Sequence, residues 1–509
     1  MPPSFLERHA ADILGTYSCF DRIIIQGTLP DIAHADAMTQ WFFTHQLRIF
    51  DFAEWAKPYR DRIRTQAETV ASKAGIQVEF IRKIDAFRKE DRIAEILAKR
   101  GEHPGLVHVF SAMETCHTFQ PWHAKNTHRT FFRYDTGRCV HYYFYFIDPD
   151  LGLCYLRVPT WAPFRLQFYC NGHNWLARRM TKAGIAFTQV ENAFVNISDF
   201  AKAQALADAC DPISLFRRLE QVARRYCDII GAFPSGVHWS IMQLERATNI
   251  VFKAPEVLAP IYAEIVRTLS HAVRPATLTM FLGKPLDPRY EGELGSQFST
   301  RIEGHCLRHF MGSTGLKIYD KFGRVLRIET FTNDVTFFKH HRKVVHRDGT
   351  ACFKMAAVRK SIFSLPILAE LMGACNRRYL EFLAAVDDPT NALNTIQKVS
   401  RPVRQDGRAY RGFNIFDEDD EQVFLAVAQG QAQAFGFRNA DLRNRMGRSS
   451  AQISRICLRL RFHGLIKKAV GSYKYHLTAL GKLIVAASLK LKEMVLIPLL
   501  RGQLAHACS

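Results

Sequence analysis

RCVHYYFYFIDPDLGLCYLRVPTW (residues 138–161) reads as a β-hairpin. Its first arm is aromatic on both faces, Pro149-Asp150-Leu151-Gly152 supplies turn chemistry, and LCYLRVPTW returns as the second arm. The surrounding stretch, 129–170, is the most strand-like in the chain. Before it, YSCFDRIIIQGTL (17–29) holds a short buried strand from Arg22 to Gln26, entered through Asp21 and left through Gly27. Helical periodicity fills 34–49, 51–75 and 86–100, the last stopped by Gly101 and Pro104. After the hairpin, 173–184 reads as a helix and 198–275 as mostly helical, broken near Gly231, Pro234 and Gly236. Strands return over 291–340 and a helix over 361–387. The polar stretch 388–412 marks a domain boundary.

The expected fold class is therefore α+β, a mixed multi-part body followed by a C-terminal winged helix-turn-helix. Four regions are expected: an N-terminal α/β region (1–128), the aromatic hairpin with a helical region (129–290), a basic hairpin with a helix (291–390), and the winged helix (413–500).

The composition narrows the function. The 509 residues are 48% apolar and 23% charged, which excludes disorder, collagen and coiled coil. Lys plus Arg is 69 against 48 Asp plus Glu, a net charge of +21. Such an excess points to a polyanionic partner, nucleic acid before anionic membrane. No run of about 18 or more apolar residues offers a membrane span. Glu7, Arg8, His9 and Asp12 stand where a signal peptide needs an apolar core, and the 12 cysteines show no CxxC. The expectation is a cytoplasmic protein with reduced thiols.

The C-terminal region gives the clearest pattern. FDEDDEQVFLAVAQG (416–430) is a first helix with acids in its opening turn, where the helix dipole favours them. NADLRNRMG (439–447) is a short second helix. SSAQISRICLRLRFHG (449–464) is a third, opened by Ser449 and Ser450 and closed by Gly464. LIKKAVGSYKYHLT (465–478) gives two strands joined at Gly471-Ser472, and ALGKLIVAASLK (479–490) starts a last helix. Between 438 and 474 lie ten Arg or Lys and one acid, Asp441. Arg443, Arg445, Arg455, Arg459, Arg461, Lys467, Lys468 and Lys474 are thus the candidate nucleic-acid contacts, where a recognition helix and wing would meet phosphates. The order of elements resembles the MarR and ArsR type of bacterial winged helix, above all in HGLIKK followed by YKYHLTALGKLI.

The second basic region is RIEGHCLRHFMGSTGLKIYDKFGRVLRIETFTNDVTFFKHHRK (301–343). LKIYDK and VLRIETFT read as paired strands around Phe322-Gly323-Arg324. Alternation puts Lys317, Tyr319 and Lys321 on one face of the first strand, with Ile318 and Asp320 on the other. Lys317, Lys321, Arg324 and Arg327 join the candidate nucleic-acid contacts. Asp320 and Glu329 are candidate hard-oxygen ligands for Mg²⁺ or Mn²⁺. Tyr319 is the candidate nucleophile beside them, completing a catalytic set of Tyr319, Asp320 and Glu329. KIYDK followed by LRIE resembles a hairpin of rolling-circle replication initiators, but the paired HxH metal ligands of their HUH nucleases are missing here. A sheet hairpin with cross-strand ion pairs accounts for the same residues.

Three more constellations stand in the sequence. Asp21, with Asp148, Asp150 and Glu329, has the order of a two-metal carboxylate site. Cys116, His117, His123 and His128 cluster within a short span without matching a structural zinc spacing. Tyr142, Tyr143, Phe144, Tyr145, Phe146, Tyr155 and Trp161, near His141, Arg157 and Arg165, form either core or a stacking platform for single-stranded bases. The loops FGFRN (435–439) and GELGS (292–296) lack phosphate-loop spacing.

Over nearly its whole length the chain also resembles a family of long bacterial proteins that end in a winged helix and carry no assigned reaction. The segments that carry this resemblance are FDRIIIQGTL (20–29), TWAPFRLQFYCNGHNWLARRM (160–180) and the central RIEGHCLRHFMGSTGLKIYDKFGRVLRIET. The combined expectation is a nucleic-acid-processing or mobile-element protein acting on DNA or RNA, with metal-dependent nuclease or strand-transfer chemistry. The alternative is a non-catalytic winged-helix regulator or ribonucleoprotein scaffold. No membrane partner is expected, and homodimerisation stays open.

Overall fold

A computed structural model describes residues 4–82, 88–273, 275–284, 290–301, 304–346, 348–387, 389–405, 407–428, 436–469, 472–492 and 497. The chain is α+β and divides into two units, residues 1–387 and 388–509. No described helix is long and apolar enough to cross a membrane.

The body is organised by one eleven-stranded sheet. Its strands are β1 (Ile13–Thr28), β2 (Glu79–Ile81), β3 (Gly105–Ala124), β4 (Arg129–Asp148), β5 (Gly152–Pro159), β6 (Leu166–Asn171), β9 (His238–Phe252), β10 (Leu294–Arg301), β11 (Gly304–Met311), β12 (Thr314–Lys321) and β13 (Val325–Thr332), with a separate hairpin of β7 (Phe187–Val190) and β8 (Ala193–Ile197). The spatial order is β10-β11-β12-β13-β9-β1-β6-β5-β4-β3-β2. Every pairing is antiparallel except β2 with β3.

This sheet crosses the three body regions drawn from sequence. The boundary at 128/129 falls in the turn between β3 and β4, which pair along almost their full lengths. Strand β1, expected as five residues, runs for 16. The expectation of helix through 198–275 also needs correction. Helices Phe200–Asp208, Pro212–Tyr226 and Pro255–Ala272 are present, but β9 lies between them at the centre of the sheet. Its charged and amide residues look foreign to a central strand, yet the two buried ones have polar partners. Arg246 pairs with Asp208 at 3.4 Å, and Asn249 accepts from Arg327 at 2.6 Å.

The two faces of the sheet differ. One carries Phe20, Ile23, Ile25, Phe144, Phe146, Phe168, Ile318 and Ile328 into the main core, under helices that include Phe52–Lys73, Pro212–Tyr226 and Leu365–Asp387. On the other face, helices Gly172–Lys182 and Phe200–Asp208 with the β7–β8 hairpin enclose Tyr17, Cys19, Val251 and Val325. Helix Lys89–Arg100 covers Phe110, Tyr143 and Tyr145 farther along that face. The aromatic hairpin is thus core on one side, through Tyr142, Phe144 and Phe146, while Tyr143 and Tyr145 share the opposite side with Tyr155.

The second unit follows its expected element order. Helices Glu418–Ala428, Asn439–Met446 and Ser450–Phe462 precede the short hairpin of Ile466–Lys468 with Tyr475–Leu477, and helix Ala479–Leu491 follows. Ser449 opens the third helix with a capping box: its hydroxyl accepts from Gln452 N, and Gln452 accepts from Ser449 N. Gly464 follows that helix at φ 71°, a left-handed conformation that glycine adopts without strain. Gly471 of the expected turn lies outside the described residues. The stretch 388–412 holds helix Pro389–Ser400 and a small hairpin, Val403–Gln405 with Arg408–Tyr410.

Candidate active site

Strand β1 presents its carboxylate through an irregularity. Pairing with β9 jumps from Phe20 opposite Arg246 to Arg22 opposite Glu245, so Asp21 is the extra residue of a β-bulge. Bulges re-aim side chains next to functional sites. Asp21 is buried and accepts from Asn192 Nδ2 at 2.8 Å and Asn171 Nδ2 at 3.5 Å, with Arg327 Nη1 also 3.5 Å away. Burial alone would raise its pKa, but Arg327, His173 and Asn192 together hold the carboxyl well below the usual range.

His173 comes from the helix that starts directly after β6. Asn171 caps it, accepting from His173 N at 2.8 Å. Gly172 sits so close to β1 that a Cβ there would lie 2.0 Å from the Phe20 carbonyl oxygen. Only glycine allows the approach that brings His173 to Asp21. Arg327, fully buried on β13, donates from Nη2 to His173 Nε2 at 3.0 Å and to the Asn192 carbonyl at 2.5 Å. A guanidinium only donates, so Nε2 is unprotonated and the ring proton belongs on Nδ1. Nδ1 stands 2.9 Å from Asp21 Oδ1, at an angle too oblique for a regular hydrogen bond. Burial and the neighbouring Arg327 push the His173 pKa down to about 4, so the ring is neutral at physiological pH.

Beside this network stand three carboxylates on adjacent strands β1, β9 and β13. One oxygen each of Asp21, Glu245 and Glu329 lies within 4.8 Å of the others. Lys317 of β12 reaches in and donates to Glu329 Oε1 at 2.7 Å and Glu245 Oε1 at 3.0 Å. Tyr319 Oη donates to Glu329 Oε2 at 2.8 Å. The register explains the grouping, because Lys317 is directly opposite Glu329 and Tyr319 opposite Arg327. Burial, reinforced by Glu245 and Asp21 and opposed by Lys317, pushes the Glu329 carboxyl up to about 7. Burial lowers the Lys317 pKa, but Glu329 and Glu245 outweigh it and the net shift is upward.

A cleft of about 430 Å³ opens beside these groups, with Asp21, Asn171, Asn192 and Glu245 in its lining. Tyr145, Tyr155 and Tyr169 line it from the sheet, and Glu90, Ile93, Ala94 and Leu97 from helix Lys89–Arg100. Tyr155 and Tyr169 stack at 5.1 Å between centroids with 13° between planes.

The expected site residues are only partly gathered here. Glu329 is in the cluster and Tyr319 touches it. Asp320 is not: it is opposite Leu326 in the register, on the reverse face from Tyr319 and Glu329, so it cannot share a cation with Glu329. Burial pushes the Tyr319 hydroxyl well above its ordinary pKa, with Glu329 adding to the shift, which disfavours it as a nucleophile. Asp148 and Asp150 lie elsewhere, both paired with Arg218 at 3.2 and 2.6 Å. In the Cys116, His117, His123 and His128 stretch, Cys116 is buried while the adjacent His117 is exposed, and His123 meets Thr130 at 3.0 Å.

The four candidate basic residues of the central hairpin are largely engaged by neighbouring groups of the body. Arg327 is enclosed, Lys317 is bound by carboxylates, Lys321 is buried with Glu191 at 3.8 Å, and Arg324 donates to the Lys253 carbonyl at 2.7 Å. In the second unit Arg459 also turns inward, onto Asp420 at 2.5 and 2.8 Å and the carbonyls of Arg411 and Gly412. Arg445 donates to the Ala426 carbonyl at 3.0 Å. Arg443, Arg455, Arg461, Lys467 and Lys468 remain exposed, with Lys474 half-buried.

Glu245, His173, Asn192, Asn249 and Tyr169 were not singled out from sequence. Reading HWSIMQLERATNIVF (238–252) as a strand would have aligned Glu245 with Ala247 and Asn249 on one face. The chain matches no protein-family model, and no curated protein matches it.

Proposed function

We propose that this chain is a nucleic-acid-processing protein that cuts or transfers phosphodiester bonds with a divalent cation, Mg²⁺ or Mn²⁺, held by Asp21, Glu245 and Glu329. The observation that carries this reading is the gathering of the three carboxylate oxygens within 4.8 Å beside a tyrosine-lined cleft. Carboxylate oxygens are the donors these hard cations prefer. A bound cation would polarise the phosphoryl oxygen and activate a water.

The chain's own residues do the rest. Tyr155 and Tyr169 offer ring faces on which a base can stack, which any base tolerates and which favours single strands. Asp21 is fixed in place and kept ionised by Arg327, His173 and Asn192. Tyr319 orients Glu329 through its hydrogen bond, and the Lys317 ammonium beside the carboxylates would offset negative charge developing on a phosphate held there. In the second unit, read as a winged helix, exposed Arg443, Arg455, Arg461, Lys467 and Lys468 hold the substrate by its phosphates. The substrate is cytoplasmic DNA or RNA.

One observation favours a second reading. Lys317 already sits where a cation would and neutralises two of the three carboxylates. If it stays there, the body is a binding platform and the protein a non-catalytic regulator or ribonucleoprotein scaffold. The test is incubation of the full chain with labelled single-stranded DNA, duplex DNA and RNA, with Mg²⁺, Mn²⁺ or EDTA. Cleavage of at least one substrate that EDTA abolishes is expected. Binding without cleavage on every substrate selects the second reading.

A further inference from the structure

At the far end of helix Gly172–Lys182 lies a second cleft, of about 420 Å³, formed with helix Pro212–Tyr226 and the β4–β5 turn. Arg178, Arg179, Lys182, Arg217 and Arg218 all line it, with Asp150 as the single acid in the lining. Bringing five cations together costs repulsion that the local carboxylates offset only in part. Arg218 is satisfied by Asp148 and Asp150, and Lys182 also pairs with Asp150. Arg178 pairs with the exposed Glu102 at 3.6 Å.

The other two make no ion pair among the described residues, although Asp211 acts on both at longer range and Asp150 on Arg179. Arg179 is held rigidly by neutral groups. It donates to the carbonyls of Leu206 and Ala209 at 2.7 and 2.6 Å, and its guanidinium packs 4.7 Å from the Trp175 ring centroid. A half-buried guanidinium whose hydrogen bonds go to carbonyls keeps its full charge, which those neutral partners do not cancel. Arg217 is exposed on the other helix and makes no hydrogen bond or ion pair. Two guanidinium groups lining one cleft from different helices, neither tied into an ion pair among the described residues and one of them pre-positioned, make a cradle for a tetrahedral dianion, since arginine presents paired donors matched to phosphate oxygens.

We propose that this cleft binds a phosphate group, with Arg179 and Arg217 as its principal donors and Arg178 and Lys182 completing the field. The inference stands on this cleft alone and does not depend on metal chemistry at Asp21, Glu245 and Glu329. The phosphate has two sources: a free polyphosphate, or the backbone of a bound nucleic acid strand.

The test is calorimetric titration of the full chain at low salt, first with inorganic triphosphate and then with a single-stranded oligonucleotide. Each titration is repeated with Arg217→Glu and with the milder Arg217→Gln. Arg217 is exposed and makes no hydrogen bond or ion pair among the described residues, so both variants should keep the wild-type unfolding transition, and the neutral one serves should charge reversal disturb it. A loss of at least tenfold in triphosphate affinity identifies a free polyphosphate as the ligand. No triphosphate binding, with a tenfold loss for the oligonucleotide, identifies backbone phosphate. Unaltered affinity for both probes in the folded Arg217 variants would overturn the proposal.

Discussion

Arg327 and His173 meet through Nη2 and Nε2 at 3.0 Å, and the direction of that hydrogen bond fixes the charge state of the site. Arginine has no lone pair to offer, so histidine must accept and stay neutral. Asp21, with Arg327 Nη1 3.5 Å away, is then the carboxylate paired with the buried guanidinium. Removing Arg327 would strand that carboxylate in the core. Arg327→Met should therefore destabilise the body by about 3–5 kcal/mol, and adding Asp21→Asn should recover part of the loss, because breaking a buried pair costs more than replacing both members. Denaturant unfolding of the two variants checks this, and strict additivity would contradict it.

Two buried groups of the site titrate in opposite senses. His173 is held down to about 4 from an ordinary value of 6.5, so the unfolded chain binds its proton first and stability is lost as pH falls from about 6.5 to 4. Glu329 is pushed up to about 7 from 4.5, so the folded chain binds its proton first and stability is lost as pH rises from about 4.5 to 7. Each contributes up to about 3 kcal/mol across its window. The stability difference between wild type and Glu329→Gln should thus slope with pH one way, and that for His173→Gln the other. Thermal unfolding between pH 4.5 and 7 reads both slopes, and slopes of one sign would contradict the assignment.

Arg455 and Arg459 lie four residues apart on one helix and should behave differently. Arg459 is clamped to buried Asp420, so Arg459→Ala should cost about 3–5 kcal/mol in the second unit. Arg455 is exposed, so Arg455→Ala should change stability by less than about 0.5 kcal/mol while weakening nucleic-acid binding and its salt dependence. Calorimetric unfolding and a salt series of binding titrations separate the two effects.

Tyr155 and Tyr169 form the stacked pair in the cleft. Replacing Tyr169 by Leu keeps bulk but removes the aromatic face. Affinity for a single-stranded oligonucleotide should fall by about 1–3 kcal/mol, with duplex binding less affected. Fluorescence anisotropy with both probes checks this, and equal losses would argue against a single-strand platform.

Much of this architecture is legible in the sequence where local chemistry decides it. The helices of the second unit announce themselves through Ser449, Gly447 and Gly464, and the aromatic hairpin through its turn. The candidate site is less legible, because β-bulges and strand register assemble it from β1, β9, β12 and β13. Asp21 points at Glu329 only because it is an extra residue in its strand, which no periodicity shows. Asp320 looked like a partner of Glu329 because both are acids in one hairpin, but its register places it on the reverse face. Glu245 stayed hidden in a central strand whose polar residues imitate an amphipathic helix. Arg459 shows the same limit, since a basic residue on a basic helix reads as exposed until its partner, 39 residues earlier, is known.

A cation held by Asp21, Glu245 and Glu329 that drives phosphodiester chemistry makes scission depend on each of the three carboxylates. The most direct measurement is the Mn²⁺-dependent rate of scission of a labelled oligonucleotide by wild type and Glu329→Gln, with binding of the same probe measured in EDTA. The account predicts that Glu329→Gln loses at least a hundredfold in rate while its affinity in EDTA stays within about threefold of wild type, since about 2.7 kcal/mol of barrier corresponds to that factor in rate. Equal rates in the two proteins, or no scission by wild type at any Mn²⁺ concentration, would contradict it.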